Sequence, residues 1–208
     1  MNYLGCIAGL GNPGKEYQGT RHNLGFAAID ALLELAARQG RVEQLGGAKF
    51  KCELWRMAPK EGTHWHLVAK PLTFMNLSGQ CLRPLLHWHR LPADTLLVAH
   101  DELDFAPGTL RLKLGGGNAG HNGIASLIQE LGTQAFYRLR IGTGRSTGET
   151  IHWVLSRPAP AERPLLEEAV QVAAKVLLDF AQGGEAAARA CLQTANAGKA
   201  AQGTTKQD

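Results

Sequence analysis

Two short apolar runs constrain the fold more than any other feature of this chain: YLGCIAGL at 3–10 and TLLVAH at 95–100. Each is bounded by glycine or polar residues and reads as a buried strand. The first leads through the turn Asn12-Pro13-Gly14 into a stretch from about Thr20 to Arg38. There Leu24, Ala28, Leu32, Leu35 and Ala36 recur at helical spacing. Buried strands mixed with amphipathic helices call for a layered α/β arrangement, with helices covering a sheet.

The remaining segments extend the same plan. Residues 48–57 and 65–70 read as strands with a turn from Pro59 to Gly62, and Leu77 to Arg90 as a helix followed by Pro92. In TLRLKL (109–114) leucines and cations alternate, so Arg111 and Lys113 share one strand face. A glycine cluster opens a helix near 121–131, FYRLRIGTG (136–144) is a further strand, and helices follow near 161–182 and 185–193. No internal repeat is visible. With 208 residues, 44% of them hydrophobic and 19% charged, the chain can bury one core and is neither disordered nor fibrous. The expectation is a single α/β domain with a mixed sheet over residues 1–195, then a flexible polar tail over 196–208.

Several function classes drop out early. No apolar run approaches the roughly 20 residues needed to span a bilayer. MNYLGCIAGLGNPG lacks the basic start and long apolar stretch of a secretory signal, so a cytoplasmic protein is expected. Cys6, Cys52, Cys81 and Cys191 are far apart and form no C-x-x-C pair, which favours buried thiols over a disulfide framework or zinc knuckle. His64 and His66, like His87 and His89, stand two apart, but no third ligand accompanies either pair and no metal site is expected.

Charge is more informative by position than by sum. The formal net charge is +4, and the segment from Phe105 to Gly148 holds Arg111, Lys113, Arg138, Arg140 and Arg145 against the single acid Glu130. A local cationic field among glycines suits a polyanion such as a nucleic acid. A solvated strand face is the alternative, and charge alone does not separate the two.

Gly9-Leu10-Gly11-Asn12-Pro13-Gly14 matches the dinucleotide-binding fingerprint letter for letter. The mechanism behind that fingerprint is missing. It needs a helix that begins inside the motif and points its N-terminus at a pyrophosphate. Here Pro13-Gly14 favours a turn, the helical pattern starts only near Thr20, and the acids Asp30 and Glu34 lie inside that helix. The turn instead presents Asn12 just past a strand end, where open α/β sheets bind their ligands.

Arg21-His22-Asn23 stands where the loop enters the first helix. A histidine becomes a general base when a carboxylate fixes its tautomer and stabilises its charged form. Asp101, in HDELD directly after TLLVAH, is the leading partner, with His100, Glu102 and Asp104 as competitors. TFMNLSGQ (73–80) brings Asn76 and Ser78 to a helix start, where either can cap. GGGNAGHNG (115–123) brings Asn118, His121 and Asn122 to another glycine-rich helix entry. Neutral amides suit an ester or amide substrate, offering donors and acceptors without competing as bases.

GLGNPGKEYQGTRHNLGF, KPLTFMNLSGQ, HDELDFAPGTLRLKLGGGNAGHNG and FYRLRIGTGR, in this order over roughly residues 5–145, resemble the bacterial peptidyl-tRNA hydrolase family. The resemblance implies a monomeric α/β protein, its twisted mixed sheet surrounded by helices, with no cofactor and no stable protein partner. It implies an esterase that releases tRNA from N-blocked peptidyl-tRNA dropped by ribosomes. Carried onto this chain, the catalytic histidine is His22 and its supporting aspartate Asp101. Asn12 distinguishes blocked from free aminoacyl groups, Asn76 and Asn122 bind the peptide and the tRNA 3′ end, and Tyr17 and Phe74 line the substrate site. Lys113 and Arg140 clamp the tRNA 5′ phosphate. Two other readings are weighed beside it: an RNA-binding relative without catalysis, as among plant organelle splicing factors of this fold, and a dinucleotide-dependent oxidoreductase.

Overall fold

A computed structural model describes residues 2–60, 64–145 and 148–204, with side chains to residue 197. Among these residues seven strands form one mixed sheet: β1 (Tyr3–Gly9), β2 (Arg41–Leu45), β3 (Cys52–Ala58), β4 (Trp65–Pro71), β5 (Leu96–Glu102), β6 (Leu110–Leu114) and β7 (Tyr137–Gly142). Their spatial order is β2-β3-β4-β1-β5-β7-β6. The four central strands run parallel, while β2, β3 and β6 join antiparallel toward the edges. Among the described residues five α-helices complete the fold: α1 (Leu24–Gln39), α2 (Ser78–Trp88), α3 (Asn122–Leu131), α4 (Thr150–Leu155) and α5 (Arg163–Thr204).

Strand pleating sorts the core into two layers. Ile7, Val68, Leu97, Ala99 and Leu139 point to α1 and α5, where Leu24, Ala28, Ile29, Leu32, Ala173 and Leu177 meet them. Cys6, Ala8, Leu67, Leu96 and Val98 point to the opposite face, against Cys81, Leu82 and Leu85 of α2 and Ile124 and Leu127 of α3. This topology also fixes where a site can form. The chain leaves β1 and returns on one side as β4, then on the other as β5. Such a switch point opens a crevice beyond the strand ends, here beside the ends of β1, β4 and β5.

Two glycines let the crevice close on itself. A Cβ at Gly9 would lie 2.2 Å from the Gly25 carbonyl oxygen, and one at Gly25 would lie 2.4 Å from the carbonyl oxygens of Ala99 and Leu10. Glycine here allows the start of α1 to press directly on the ends of β1 and β5. Gly9, the first glycine of the fingerprint-like motif, therefore serves helix–sheet contact, and α1 begins at Leu24, well outside the motif.

The structure departs from the sequence expectations at identifiable places. The strand expected at 48–57 begins at Cys52, with a helical turn over Ala48–Phe50. The strand expected to end at His100 continues to Glu102, so Asp101 lies within β5 rather than after it. β2 and α4 were not anticipated. RVEQL is short, half-buried and held by antiparallel pairing with β3. TIHWVL is rich in β-branched and aromatic residues, and packing makes it a helix. Of the turn expected at 59–62, Glu61 and Gly62 lie outside the described residues. α5 contains the expected break, with Gly184 at φ +67° separating its two halves. Its second half runs to Thr204, through most of the segment read from sequence as a tail; residues 205–208 are outside the described residues. Cys6, Cys52 and Cys81 are buried free thiols, Cys191 a half-buried one. Among the described residues no helix is long and apolar enough to cross a membrane.

Candidate active site

Asp101, 2% exposed, stands near the end of β5, and its Oδ1 is the focus of the site. That one oxygen lies 2.9 Å from His22 Nδ1 and 3.0 Å from His121 Nε2. The helix α3 settles the proton positions. His121 is its N-cap, and the His121 Nδ1 accepts the backbone N–H groups of Gly123 and Ile124. A ring nitrogen that accepts carries no proton, so the neutral His121 ring is protonated at Nε2 and donates to Asp101. Burial pushes the Asp101 carboxyl up, but its electrostatic attraction to His121 and His22 and the hydrogen bonds they donate outweigh it and hold it well below the carboxylate range. An ionised Asp101 draws the proton of His22 to Nδ1. The lone pair of His22 Nε2 is left free of any described hydrogen-bond partner.

The competitors of Asp101 are otherwise engaged. Glu102 accepts from Arg140 Nε at 2.8 Å, and Asp104 accepts from Arg145. His100 donates its Nδ1–H to the Asp101 carbonyl, and burial pushes its pKa well below the usual histidine value.

His22 lines a cavity of about 500 Å³ together with Asn12, Phe74, Asn76, Asp101, His121 and Asn122, while Ile151, Val154 and Leu155 of α4 form an apolar wall. Asn12 is tightly held. Its backbone N–H and carbonyl are both bonded by the Asn23 side chain, at 2.8 and 3.0 Å. Its Oδ1 accepts the Met75 N–H at 2.8 Å, which fixes the amide's orientation and leaves Nδ2, a pure donor, on a residue that lines the cavity. Asn76 and Asn122 are exposed at the rim. The cap role weighed for Asn76 and Ser78 is absent: Ser78 Oγ donates to Met75 O, and α2 starts without a side-chain cap. Tyr17 does not line this cavity; it meets Phe74 edge-on, ring centres 6.4 Å apart.

A smaller cavity of about 160 Å³ adjoins the first, sharing Glu102 and Ala119, and Lys113 and Arg140 both line it. Arg140 sits directly opposite Arg111 across the β6–β7 pair. Like charges so placed cost stability. The Phe105 ring lies under both guanidinium groups, at 4.6 and 4.4 Å, and Glu102 pairs with Arg140. Lys113 and Arg140 together make this cavity a candidate anion site. Arg138 is different: it is buried and donates to the carbonyls of Gly116 and Gly117, bracing the glycine loop.

The donor atoms of His22, Asp101 and His121 lie within 4.8 Å of one another, a spacing that also suits a metal ion. Their chemistry here does not. His121 Nε2 and His22 Nδ1 both carry protons donated to the shared oxygen, so neither offers a lone pair to a cation.

The peptidyl-tRNA hydrolase family model matches residues 6–202. The chain belongs to the peptidyl-tRNA hydrolase family. A peptidyl-tRNA hydrolase of Desulfovibrio desulfuricans is 54% identical over 187 residues, covering 88% of this chain and 81% of the relative. One from Nitratidesulfovibrio vulgaris strain Miyazaki F is 52% identical, covering 96% and 99%. A crystal structure of the Acinetobacter baumannii peptidyl-tRNA hydrolase superposes with a TM-score of 0.82 at 33% identity, covering 92% of this chain and 95% of that one. Sequence reasoning gave no role to His121 or Asn23. The helix-entry position of His121 and the adjacency of Asn23 to His22 were the available signals, and neither reveals a partner 20 or 11 residues away.

Proposed function

We propose that His22 is the general base of this hydrolase and Asp101 the carboxylate that orients it. The chain hydrolyses the ester joining the peptide to the 3′-terminal ribose of peptidyl-tRNA and so recycles the tRNA. A water held against His22 Nε2 gives up a proton as its oxygen attacks the ester carbonyl. The positive charge arriving on the imidazole is stabilised by ionised Asp101 through the Nδ1–H hydrogen bond. The resulting imidazolium returns the proton to the departing ribose oxygen, giving free tRNA and a peptide carboxylic acid. The observation that carries this reading is the Asp101 Oδ1 shared by two histidines, one of which has its tautomer fixed by a helix cap.

Asn12 supplies selectivity for blocked substrates. Its Nδ2 can only donate, so it matches the carbonyl oxygen of an N-acylated residue and finds no acceptor on a free α-ammonium. Asn76 and Asn122 at the rim hold the peptide and the 3′ end, and Phe74, backed by Tyr17, packs against the substrate. Lys113 and Arg140 take the tRNA 5′ phosphate, a contact that reads no base and therefore accepts every tRNA. The site is completed within one chain, which supports a monomer needing no stable protein partner, and the substrate supports work in the cytoplasm.

Release of tRNA from N-acetyl-aminoacyl-tRNA, with unblocked aminoacyl-tRNA as control, tests the assignment. Wild type cleaves the blocked substrate, and His22→Ala loses about 10²–10⁴ in rate. Near-normal turnover by His22→Ala would refute the base.

A further inference from the structure

The residue next to the proposed base is an arginine with almost no exposed surface, 2%. Arg21 does not reach the cavity. Its Nη1 donates to Ser156 Oγ at 2.7 Å and to the Arg157 carbonyl at 3.1 Å, and its Nη2 pairs with Glu162. The guanidinium plane lies over the Trp153 ring, 3.6 Å from its centre, and the Arg21 backbone N–H donates to the Ser156 carbonyl at 3.1 Å. These partners belong to α4 and the connection that leaves it. Trp153 is itself tied to the Gly144 carbonyl by its indole N–H at 2.7 Å, so the ring that Arg21 covers is held from a second side. α4 is also the element whose Ile151, Val154 and Leu155 line the same cavity as His22.

The helical turn Arg21–Asn23 therefore carries three functions in three consecutive side chains. The middle one faces Asp101, Asn23 grips Asn12, and Arg21 grips α4. A six-residue helix is too short to hold its place by its own hydrogen bonds. Within it only Val154 is buried. We propose that Arg21 is a positioning residue that registers the α4 wall against His22, so that bound ester lies at the right distance from Nε2. Only a planar fork with a stackable face can bond Ser156, Arg157 and Glu162 while covering Trp153; an ammonium cannot.

The inference rests on His22 being the base, and the test separates the two. Arg21→Lys keeps the buried charge for Glu162 but loses the fork and the stack. On N-acetyl-aminoacyl-tRNA its kcat falls about 10²-fold, the cost of a misplacement near 1 Å, while KM and the Kd for deacylated 5′-phosphorylated tRNA stay within about threefold. Ser156→Ala and Trp153→Leu leave the arginine paired with Glu162, and each lowers kcat at normal Tm. Arg21→Lys combined with Ser156→Ala falls no further than Arg21→Lys alone, because both break one device. Normal kcat in Arg21→Lys, Ser156→Ala and Trp153→Leu, with His22→Ala inactive, overturns the positioning role and leaves the base intact. Activity retained by His22→Ala overturns the base itself. If Arg21→Lys does not fold, the other two variants decide.

Discussion

Asp101→Asn isolates the charge of the carboxylate from its geometry, because His121 dictates which way the new amide turns. With its Nδ1 occupied by two backbone N–H groups, His121 presents only an N–H toward position 101. The introduced side chain must answer with its oxygen, and that oxygen also faces His22 Nδ1. His22 then keeps its proton at Nδ1 and its lone pair at Nε2, so the base survives and only the countercharge is gone. Two unit charges about 4 Å apart interact by about 4 kcal/mol at an effective dielectric of 20. Losing that stabilisation of the imidazolium-like transition state lowers kcat by about 10³. Adding His121→Ala removes the constraint, lets the amide turn its NH₂ toward His22, and forces the His22 proton to Nε2. The double variant drops at least a further tenfold, whereas His121→Ala alone costs less than Asp101→Asn. Single-turnover release of tRNA, with folding checked by thermal unfolding, reads all four corners of the cycle. If His121→Ala changes activity equally in both backgrounds, tautomer control through Asp101 is wrong.

Asn12→Asp keeps an oxygen for the Met75 N–H but turns the remaining amide donor into an acceptor. Cleavage of N-acetyl-aminoacyl-tRNA falls about 10²-fold, and the preference over free aminoacyl-tRNA narrows, since a carboxylate attracts the α-ammonium; a preserved preference contradicts the donor argument. Replacing both Lys113 and Arg140 with alanine weakens binding of 5′-phosphorylated tRNA and lowers the slope of log K against log salt by about 2. The same pair of changes leaves dephosphorylated tRNA little affected, and equal losses on both forms would place the phosphate elsewhere. Burial holds the His66 pKa at about 4, with its Nδ1 unpartnered. The unfolded chain, with histidine near 6.5, binds the proton first, so this group lowers stability as pH falls from about 6.5 to 4, by about 3 kcal/mol in all. His66→Met removes that part of the acid loss in urea titrations at pH 7 and pH 4.5, and an unchanged difference between the two refutes it.

The β1 strand, α1, the β6 alternation and the break in α5 were legible because each rests on local pattern: apolar runs, 3.6 and 2.0 periods, paired glycines. Arg41–Leu45 was not, since an edge strand borrows its hydrogen bonds and half its burial from a neighbour. Nor was α4, whose residues favour extended backbone until they are packed beside Arg21. The extra two residues of β5 come from pairing with β7, where Asp101 opposes Ile141.

By itself the sequence determined the class of fold, the cationic face of β6 and the candidates His22 and Asp101, because residue type and spacing are local properties that no partner alters. The choice of Asp101 over Glu102 and Asp104, and the commitment of Arg140 to Glu102, belong to the tertiary structure. So do the donor face of Asn12 and the proton on His121. Each of these is a question of which acceptor a given donor meets. Strand order, helix capping and the close approach permitted by Gly9 and Gly25 answer it only once residues far apart in the chain have come together.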